Sequence, residues 1–303
     1  MKKALLIVNP KAGKSKARTW LYQWIETLGR ADYAVNVIMT QKPGHATDAV
    51  YKYGKEHDLV VCAGGDGTLN EAITGLLRSG AEVPVGYIPT GSTNDFASTL
   101  CLSKDPRKAV RDVVKGVKKG IDVGAFNDRY FTYVASFGIF TKASYSTPQE
   151  SKNVLGHLAY ILEGIKDLPT TRAEHVRIVT PEKTFEDDYI FGAIANSTSL
   201  GGVMKLDDKV VMMNDGKFEL LLVKKPGNMG DLSLSINAIL SQNYDTDMIE
   251  FLPIESAEIE SENPLVWSID GERADTDGHV NVKNLHCAIS MMLPTAAADS
   301  SIL

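Results

Sequence analysis

Apolar runs and helical spacings alternate along the first 120 residues of the chain. Residues 4–8, ALLIV, form a continuous apolar run, which is typical of a strand that is buried on both faces. In residues 15–30 the apolar side chains recur every three or four positions, which indicates a helix. Further strands are predicted over 33–40, 58–64 and 84–91, and further helices over 44–56, 68–77 and 105–118. This alternation predicts an α/β domain with a Rossmann-like, mostly parallel sheet.

The second half of the chain is rich in β-type patterns, separated by turn signals such as Asp270-Gly271. Strands are predicted over 129–139, 175–180, 184–197, 217–225, 248–262, 265–272 and 279–293, and helices over 155–168 and about 228–241. We therefore expect an α/β domain over residues 1–122 and a mainly β domain, of sandwich or barrel type, over 123–294. Residues 295–303 follow no pattern, and we expect an irregular tail there.

The composition is that of an ordinary globular protein, with 44% apolar and 23% charged residues. The net charge of −6 argues against a nucleic-acid partner, which would need a basic surface. The three cysteines form no CxxC pair, so free thiols in a reducing cytoplasm are expected. No apolar stretch approaches the roughly 18 residues of a membrane span. The sequence therefore predicts a cytoplasmic protein that contacts a membrane peripherally at most.

Glycine-containing loops follow the first, third and fourth predicted strands. The first loop lies in VNPKAGKSK, residues 8–16, which contains the end of the P-loop pattern G-x-x-x-x-G-K-[S/T], but Val8 replaces the first glycine. The third strand ends in GGDGTLN (64–70) and the fourth in PTGSTND (89–95). Because the carboxyl ends of parallel strands meet at one edge of a sheet, we expect these loops to lie side by side. Glycines and the N–H groups at helix starts are suited to phosphate binding.

The carboxylate of Asp66 is the unusual member of this set. It would repel a phosphate unless a cation lay between them, and it could also orient a hydroxyl group or a metal-bound water. It could equally cap the helix that is predicted over 68–77. The residues alone leave both interpretations open.

The combination of NPKAG, GGDGTLNE and PTGSTNDFA resembles the diacylglycerol kinase catalytic-domain family, and most of all its soluble bacterial lipid kinases, which are related to sphingosine kinases. In the second half, Gly201-Gly202, NDGKF (214–218) and SIDGE (268–272) follow in the expected order, so the resemblance covers nearly the whole chain. GGDGT alone has close variants in NAD kinases, whereas the joint pattern is specific. The resemblance implies two domains with an ATP cleft between them, and a last strand that returns to the first domain.

The resemblance also implies roles for individual residues. Glu272 would be the general base that accepts the proton of the lipid hydroxyl, and Asp66 would assist catalysis by holding Mg²⁺ on the phosphates. The backbone carbonyls of Met212 and Lys217 and the side chain of Asp215 would bind a second, structural Mg²⁺. The ATP site would be lined by Asn9, Pro10, Lys11, Ala12, Gly13, Thr40, Gly65, Asp66, Gly67, Thr68, Leu69, Asn70 and Ser92.

The leading hypothesis is an ATP- and Mg²⁺-dependent kinase that phosphorylates a diacylglycerol-like lipid, contacts a membrane surface transiently and could form a homodimer. Two alternatives stay open. One is a kinase of a soluble hydroxyl substrate such as NAD, and the other is a non-catalytic nucleotide-binding regulator. Taken alone, Glu272 could be a solvated turn acid and Asp215 could belong to a plain hairpin turn.

Overall fold

A computed structural model describes residues 1–92, 94–139, 172–200, 204–205, 211–300 and 303, without the side chains of 14–18, 199–200 and 204–205. The chain divides into two compact units. Unit 1 comprises Met1–Val123 and His286–Leu303, and unit 2 comprises Gly124–Leu285. The helix that is predicted over 155–168 lies outside the described residues.

The strands of unit 1 coincide with the apolar runs of the sequence. Residues 59–64 are buried throughout, as expected for a parallel strand that is covered on both faces. Along the chain the elements are β1 (Lys2–Val8), α1 (Lys16–Arg30), β2 (Tyr33–Met39), α2 (His45–Tyr53), β3 (Leu59–Gly64), α3 (Asp66–Ser79), β4 (Val85–Pro89), α4 (Asp95–Thr99), α5 (Pro106–Lys115) and β5 (Val117–Phe126), which continues into unit 2.

These strands form a parallel sheet in the order β4-β3-β1-β2. Val8 is aligned with Met39 of β2 and with Ala63 of β3, and Gly64 is aligned with Pro89 of β4. The carboxyl ends of the strands therefore lie at one level. The prediction of a Rossmann-like, mostly parallel sheet is confirmed.

Helices α1 and α5 close one side of this sheet through a shared apolar cluster. The indole N–H of Trp24 donates to the carbonyl of Pro106 at 3.2 Å, which fixes the start of α5 against α1. Leu28 of α1 and Val113 of α5 belong to the same buried cluster as Val61 of β3. This buried apolar cluster thus supports the sheet that carries the loops.

Unit 2 is mainly β and is built from antiparallel pairs. Its order is β16-β15-β7-β9-β8-β14-β17, with β12 paired to β9 and β13. The elements are β6 (Arg129–Phe131), β7 (Val134–Gly138), β8 (Glu174–Val179), β9 (Thr184–Ala195), β10 (Ser199–Leu200), β11 (Met204–Lys205), β12 (Phe218–Lys224), α6 (Met229–Ser241), β13 (Ile249–Ile254), β14 (Ser256–Ser261), β15 (Val266–Ile269), β16 (Glu272–Asp275) and β17 (His279–Leu293), which continues into unit 1 from His286. The mainly β character predicted for this half is confirmed.

The core of unit 2 is centred on the fully buried Trp267. Phe126 and Phe137 meet its ring edge to face, with ring centroids 5.0 and 4.9 Å away. Such pairs add about 0.5–1.5 kcal/mol each beyond the area that they bury. This packing supports β15 and the turn that follows it.

Several local predictions were wrong. The single strand predicted over 129–139 is two strands, β6 and β7, separated by residues 132–133. The helix predicted over 105–118 ends at Lys115, because the extended backbone of Gly116 ends it and β5 begins at Val117. The single strand predicted over 248–262 is two strands, β13 and β14, divided at Glu255. Residues 295–298, expected to be irregular, form a short helix, α7 (Thr295–Ala298), in which two small apolar side chains are buried.

Candidate active site

The loops after β1, β3 and β4 contact one another through their backbones. The N–H groups of Thr90 and Gly91 donate to the carbonyl of Gly64 at 2.8 and 3.2 Å. A Cβ on Gly91 would lie 2.5 Å from the Cα of Gly65, and a Cβ on Gly13 would lie 2.0 Å from the carbonyl O of Thr90. Both distances are shorter than real side chains allow, so glycine is needed at positions 13 and 91. The structure brings the three loops together at one edge of the sheet.

Asn9 connects the first loop to the second. Its backbone N–H donates to the carbonyl of Ala63 at 2.9 Å, and its side-chain Nδ2 donates to the hydroxyl of Thr68 at 3.0 Å. Its Oδ1 accepts from the N–H of Lys11 at 3.0 Å and so closes a tight turn. Asn9 therefore shapes the loop, and the side chain of Lys11 is left exposed at the edge.

The other residues predicted for the ATP site lie on the same loops or beside them. Thr40 follows β2, and its N–H donates to the carbonyl of Val8 at 2.8 Å. Thr68 and Leu69 differ from the rest, because their side chains are buried, and the N–H of Leu69 donates to the carbonyl of Gly65. The side chain of Leu69 contributes to core packing instead. The remaining members are at least partly exposed, namely Pro10, Ala12, Gly67, Asn70 and Ser92.

The carboxylate of Asp66 accepts hydrogen bonds from the start of α4. Oδ2 accepts from the N–H of Asp95 at 2.9 Å, and Oδ1 accepts from the N–H of Phe96 at 3.3 Å and from the hydroxyl of Tyr87 at 3.4 Å. Of the two interpretations left open, a cap on its own helix is therefore wrong: Asp66 is the first residue of α3, and its side chain caps α4. This arrangement fixes the carboxylate beside the loop after β4 and leaves Asp66 half-exposed.

A buried hydroxyl group at this edge fits a bound ligand. Thr90 is only 5% exposed, and among the described residues its Oγ1 has no hydrogen-bond partner. Buried polar groups normally have a partner. This hydroxyl, together with the side-chain-free backbone at Gly13 and Gly91, suits an anionic group that approaches the edge closely.

In unit 2, the turn between β15 and β16 is held by the buried carboxylate of Asp270. Oδ2 accepts from the N–H and the hydroxyl of Thr132 at 2.7 and 2.8 Å. Oδ1 accepts from the N–H groups of Tyr133 and Val134, both at 3.0 Å. Burial raises the pKa of Asp270 above its ordinary value, although these donors oppose the shift. The turn is thereby fixed to the segment that precedes β7.

Glu272 is the first residue of β16, directly after this turn. Asp270 and Gly271 have φ values of 47° and 82°, as in the two-residue hairpin turns with a left-handed backbone. Ile269 is aligned with Glu272 across the hairpin, and the Glu272 side chain is exposed. A rigid turn therefore presents a carboxylate to solvent, which suits a group that accepts a proton.

The three residues predicted to bind a structural metal lie within one short loop before β12. Oδ1 of Asp215 accepts from the N–H of Lys217 at 2.9 Å, and the carbonyl of Lys217 accepts from the Asn284 side chain at 3.1 Å. Gly216 has a φ of 81°, which allows the loop to turn sharply. Met212 is 39% exposed at the start of the loop. Carbonyl and carboxylate oxygens of this kind are the ligands that Mg²⁺ and Ca²⁺ prefer, so the donor set fits.

A buried carboxyl group follows the metal loop. Glu219 of β12 is 3% exposed, and among the described residues its Oε2 has no hydrogen-bond partner. Burial, with a smaller contribution from the charge of Asp215, raises the pKa of Glu219 to about 8. The Glu219 carboxyl therefore carries a proton at neutral pH.

Three polar residues of these sites were missed by the sequence analysis as individual contributors. Asp270 and Glu219 look like an ordinary turn acid and an ordinary strand acid in the sequence, and Thr90 like a loop residue. A signal for Asp270 existed, because an acid between an apolar strand and a glycine is well placed to bind neighbouring backbone. No local pattern marks Glu219 or Thr90 as buried.

Comparison with known proteins gives consistent matches. The family model described as the diacylglycerol kinase catalytic domain matches residues 3–126. A diacylglycerol kinase of Bacillus subtilis (strain 168) is 32% identical over 274 residues, which cover 90% of this chain and 90% of that protein. A diacylglycerol kinase of Staphylococcus epidermidis (strain RP62A) is 33% identical over 276 residues, which cover 89% and 86%.

Solved structures share the fold. A crystal structure from Bacillus anthracis str. Sterne has a TM-score of 0.82 at 24% identity and covers 97% of this chain and 98% of that chain. A second structure from the same strain, described as a diacylglycerol kinase, has a TM-score of 0.75 at 24% identity and covers 98% of both chains. Over the part of the chain that the structure describes, no helix is long and apolar enough to cross a membrane.

Because burial raises the pKa of Glu219, we expect the free energy of unfolding to depend on pH. Because the folded-state pKa is about 8 and the ordinary value is 4.5, the stabilising contribution is complete below pH 4.5 and is lost as the pH rises to 8. We expect Glu219→Gln, which is neutral at every pH, to match the wild type at pH 4.5 and to exceed it by about 3–5 kcal/mol at pH 9. Urea unfolding with a chelator present measures this difference.

The matched control for that experiment is Glu258→Gln on β14, where the carboxylate is exposed. We expect less than about 0.5 kcal/mol from this substitution at either pH. Equal pH profiles for the wild type and Glu219→Gln would show that Glu219 is not held in the protonated form.

Proposed function

Because this chain belongs to the diacylglycerol kinase family and is a lipid kinase, we propose that it transfers the γ-phosphate of ATP to the free hydroxyl of a diacylglycerol-like lipid. The observation that carries the proposal is the contact of three loops at one edge of a parallel sheet, where glycines leave backbone open to phosphate. The relatives named diacylglycerol kinases support the choice of a lipid acceptor.

ATP binds, in this proposal, to the loop edge of unit 1. The segments 9–13 and 65–70, with Thr40 and Ser92, supply backbone N–H groups and small side chains, and Lys11 adds a positive charge beside the phosphates. The unpartnered hydroxyl of Thr90 is a further donor at the same edge. Leu69 contributes through its backbone and through the packing of α3.

Mg²⁺ supplies charge neutralisation of the triphosphate when it is bound. Asp66 is the residue proposed to hold it there, because its carboxylate is fixed by two N–H groups of α4 and remains half-exposed. A second, structural ion is proposed in the loop of Met212, Asp215 and Lys217, where it would order the chain ahead of β12.

Glu272 is proposed to accept the proton of the lipid hydroxyl. A general base needs a fixed position and access to substrate, and Glu272 has an exposed side chain on a turn held by Asp270. Asp270 is proposed as a positioning residue, since its own carboxylate is buried and occupied by donors of residues 132–134. In this proposal the lipid oxygen bonds to the γ-phosphorus as its proton passes to Glu272, while the bond from the γ-phosphorus to the bridging oxygen breaks and ADP leaves.

The other candidates are less well supported. The relatives named diacylglycerol kinases span about nine tenths of the chain, which argues against a kinase of a soluble substrate such as NAD. The non-catalytic regulator is disfavoured because the acids Asp66 and Glu272 are both present in ordered surroundings.

A water-insoluble acceptor also requires that a cytoplasmic protein contact a membrane surface transiently, and this contact is part of the proposal. The homodimer stays a prediction that sedimentation of the purified chain would test.

If Glu272 is the general base, Glu272→Gln should lose most of its turnover. We expect kcat to fall by about 10²–10⁴-fold with little change in the KM for ATP, because the variant keeps the size of the side chain but cannot accept the proton. Transfer from radiolabelled ATP to dioleoylglycerol in mixed micelles is the measurement, with Glu258→Gln as the exposed control.

Turnover that is unchanged in Glu272→Gln would exclude Glu272 as the base. Absence of transfer by the wild type to every member of a panel of hydroxyl-bearing lipids would exclude the activity itself.

If Asp215 holds a structural ion, Mg²⁺ should stabilise the wild type in the absence of nucleotide, and Asp215→Asn should lose this stabilisation. We expect Mg²⁺ to raise the unfolding temperature of the wild type and to raise it little or not at all in the variant, because a ligand that binds only the folded state stabilises it. Scanning calorimetry with and without a chelator measures the effect.

Asp277→Asn is the matched control. Asp277 also lies in an Asp-Gly turn, and its Oδ1 accepts from the N–H two residues later at 3.1 Å, as in the Asp215 turn. An equal response to Mg²⁺ in all three proteins would remove Asp215 from the proposed site.

A further inference from the structure

Three side chains that could hold a metal ion meet in unit 1, and none of them belongs to the candidate active site. They are Asp122 of β5 and the consecutive residues His286 and Cys287 of β17. One ligand atom from each, a carboxylate oxygen, an imidazole nitrogen and the thiol sulfur, lies within 4.8 Å of the other two. His286 Nδ1 is 3.0 Å from Asp122 Oδ1. The Asp122 carboxylate is fully buried, whereas His286 and Cys287 are exposed.

The backbone of β17 is distorted at this point in a way that the cluster requires. Neighbouring residues of a regular strand point to opposite faces, so His286 and Cys287 could not both approach Asp122. Cys287 has a φ of 48°, and the alternation of buried and exposed positions along β17 breaks at these two residues. The N–H of Cys287 donates to Asp122 Oδ1 at 2.6 Å. With this local change in the strand, both side chains lie beside one carboxylate.

We propose that Asp122, His286 and Cys287 form a binding site for a divalent transition-metal ion, with Zn²⁺ as the ion that suits it best. Oxygen, nitrogen and sulfur ligands together are typical of zinc, and thiolate excludes Mg²⁺ and Ca²⁺ as natural occupants. Two ligands of a tetrahedral zinc ion with bonds of about 2.0 Å lie about 3.3 Å apart, close to the spacing seen between His286 and Asp122. The exposed side leaves a fourth position for water.

The thiol of Cys287 would lose its proton on binding a metal ion. Burial, and then the charge of Asp122, raises the pKa of the Cys287 thiol above its ordinary value. A metal ion replaces that proton when it binds, and the thiolate then gains a cation beside the buried carboxylate. The affinity for the ion should therefore fall as the pH is lowered.

The ion would join two parts of the chain that are far apart in sequence. Asp122 and His286 are separated by 164 positions, and they lie next to the two points at which the chain passes between unit 1 and unit 2. A link between such distant residues restricts the unfolded chain more than a local link does. Metal binding should therefore raise the resistance of unit 1 to unfolding.

Cobalt titration of the full chain tests the site, because Co²⁺ occupies zinc sites and absorbs light when thiolate is a ligand. After treatment with a chelator and under reducing conditions, we expect a thiolate-to-cobalt band in the near ultraviolet that saturates at one ion per chain and is displaced by Zn²⁺. Cys101→Ser is the matched control, since Cys101 is exposed but lies outside the cluster, and Cys62 is buried. The band should persist in Cys101→Ser and be absent in Cys287→Ser.

A second measurement does not depend on whether Cys287→Ser folds. Zn²⁺ should raise the unfolding temperature of the wild type and of His279→Ala, an exposed histidine of the same strand outside the cluster, but not that of His286→Ala. His286→Ala should also weaken cobalt binding by at least about tenfold. Absence of the band in the wild type, its persistence in Cys287→Ser, or an equal Zn²⁺ response in both histidine variants would overturn the proposal.

Discussion

The close contact between backbones at the carboxyl edge of the parallel sheet is the constraint on which the loops of unit 1 depend. Strands β1, β3 and β4 end at one level, so the loops that follow them lie close together. Only glycine fits where Gly91 approaches Gly65 and where Gly13 approaches Thr90. The same absence of side chains exposes N–H groups to a phosphate. One steric requirement thus explains both how the loops pack and why they suit nucleotide.

In unit 2 the corresponding constraint is the buried carboxylate of Asp270, whereas in unit 1 it is the close contact between backbones. Burying the carboxylate of Asp270 costs several kcal/mol unless donors surround it. Three backbone N–H groups and one hydroxyl of residues 132–134 meet that need. The result is a turn of fixed geometry from which Glu272 emerges. Asp66 follows the same logic in unit 1, since the start of α4 provides the donors that hold its carboxylate.

Periodicity predicted most elements, because a buried strand and an amphipathic helix leave local signals. β17 has the predicted bounds, 279–293, and the rule for strand ends predicted that the three loops would meet. Contacts between distant residues leave no such signal. Asp66 binds backbone 29 and 30 positions away, Asp270 binds residues more than 130 positions earlier, and Asp122 meets Cys287 across 165 positions. The roles of Glu272, Asp66 and the metal loop stay predictions that rest on the family resemblance and on chemistry.

Hydrogen–deuterium exchange with and without a non-hydrolysable ATP analogue and Mg²⁺ would show whether the three loops bind one nucleotide together. If the three loops share one nucleotide, amides in residues 9–13, 64–70 and 90–92 should become protected together, because the backbones of these loops contact one another. Protection should be weak in the β15–β16 hairpin and in β17, which carry no proposed ATP contact. Saturating binding by calorimetry with protection confined to other segments, or to only one of the three loops, would contradict the account.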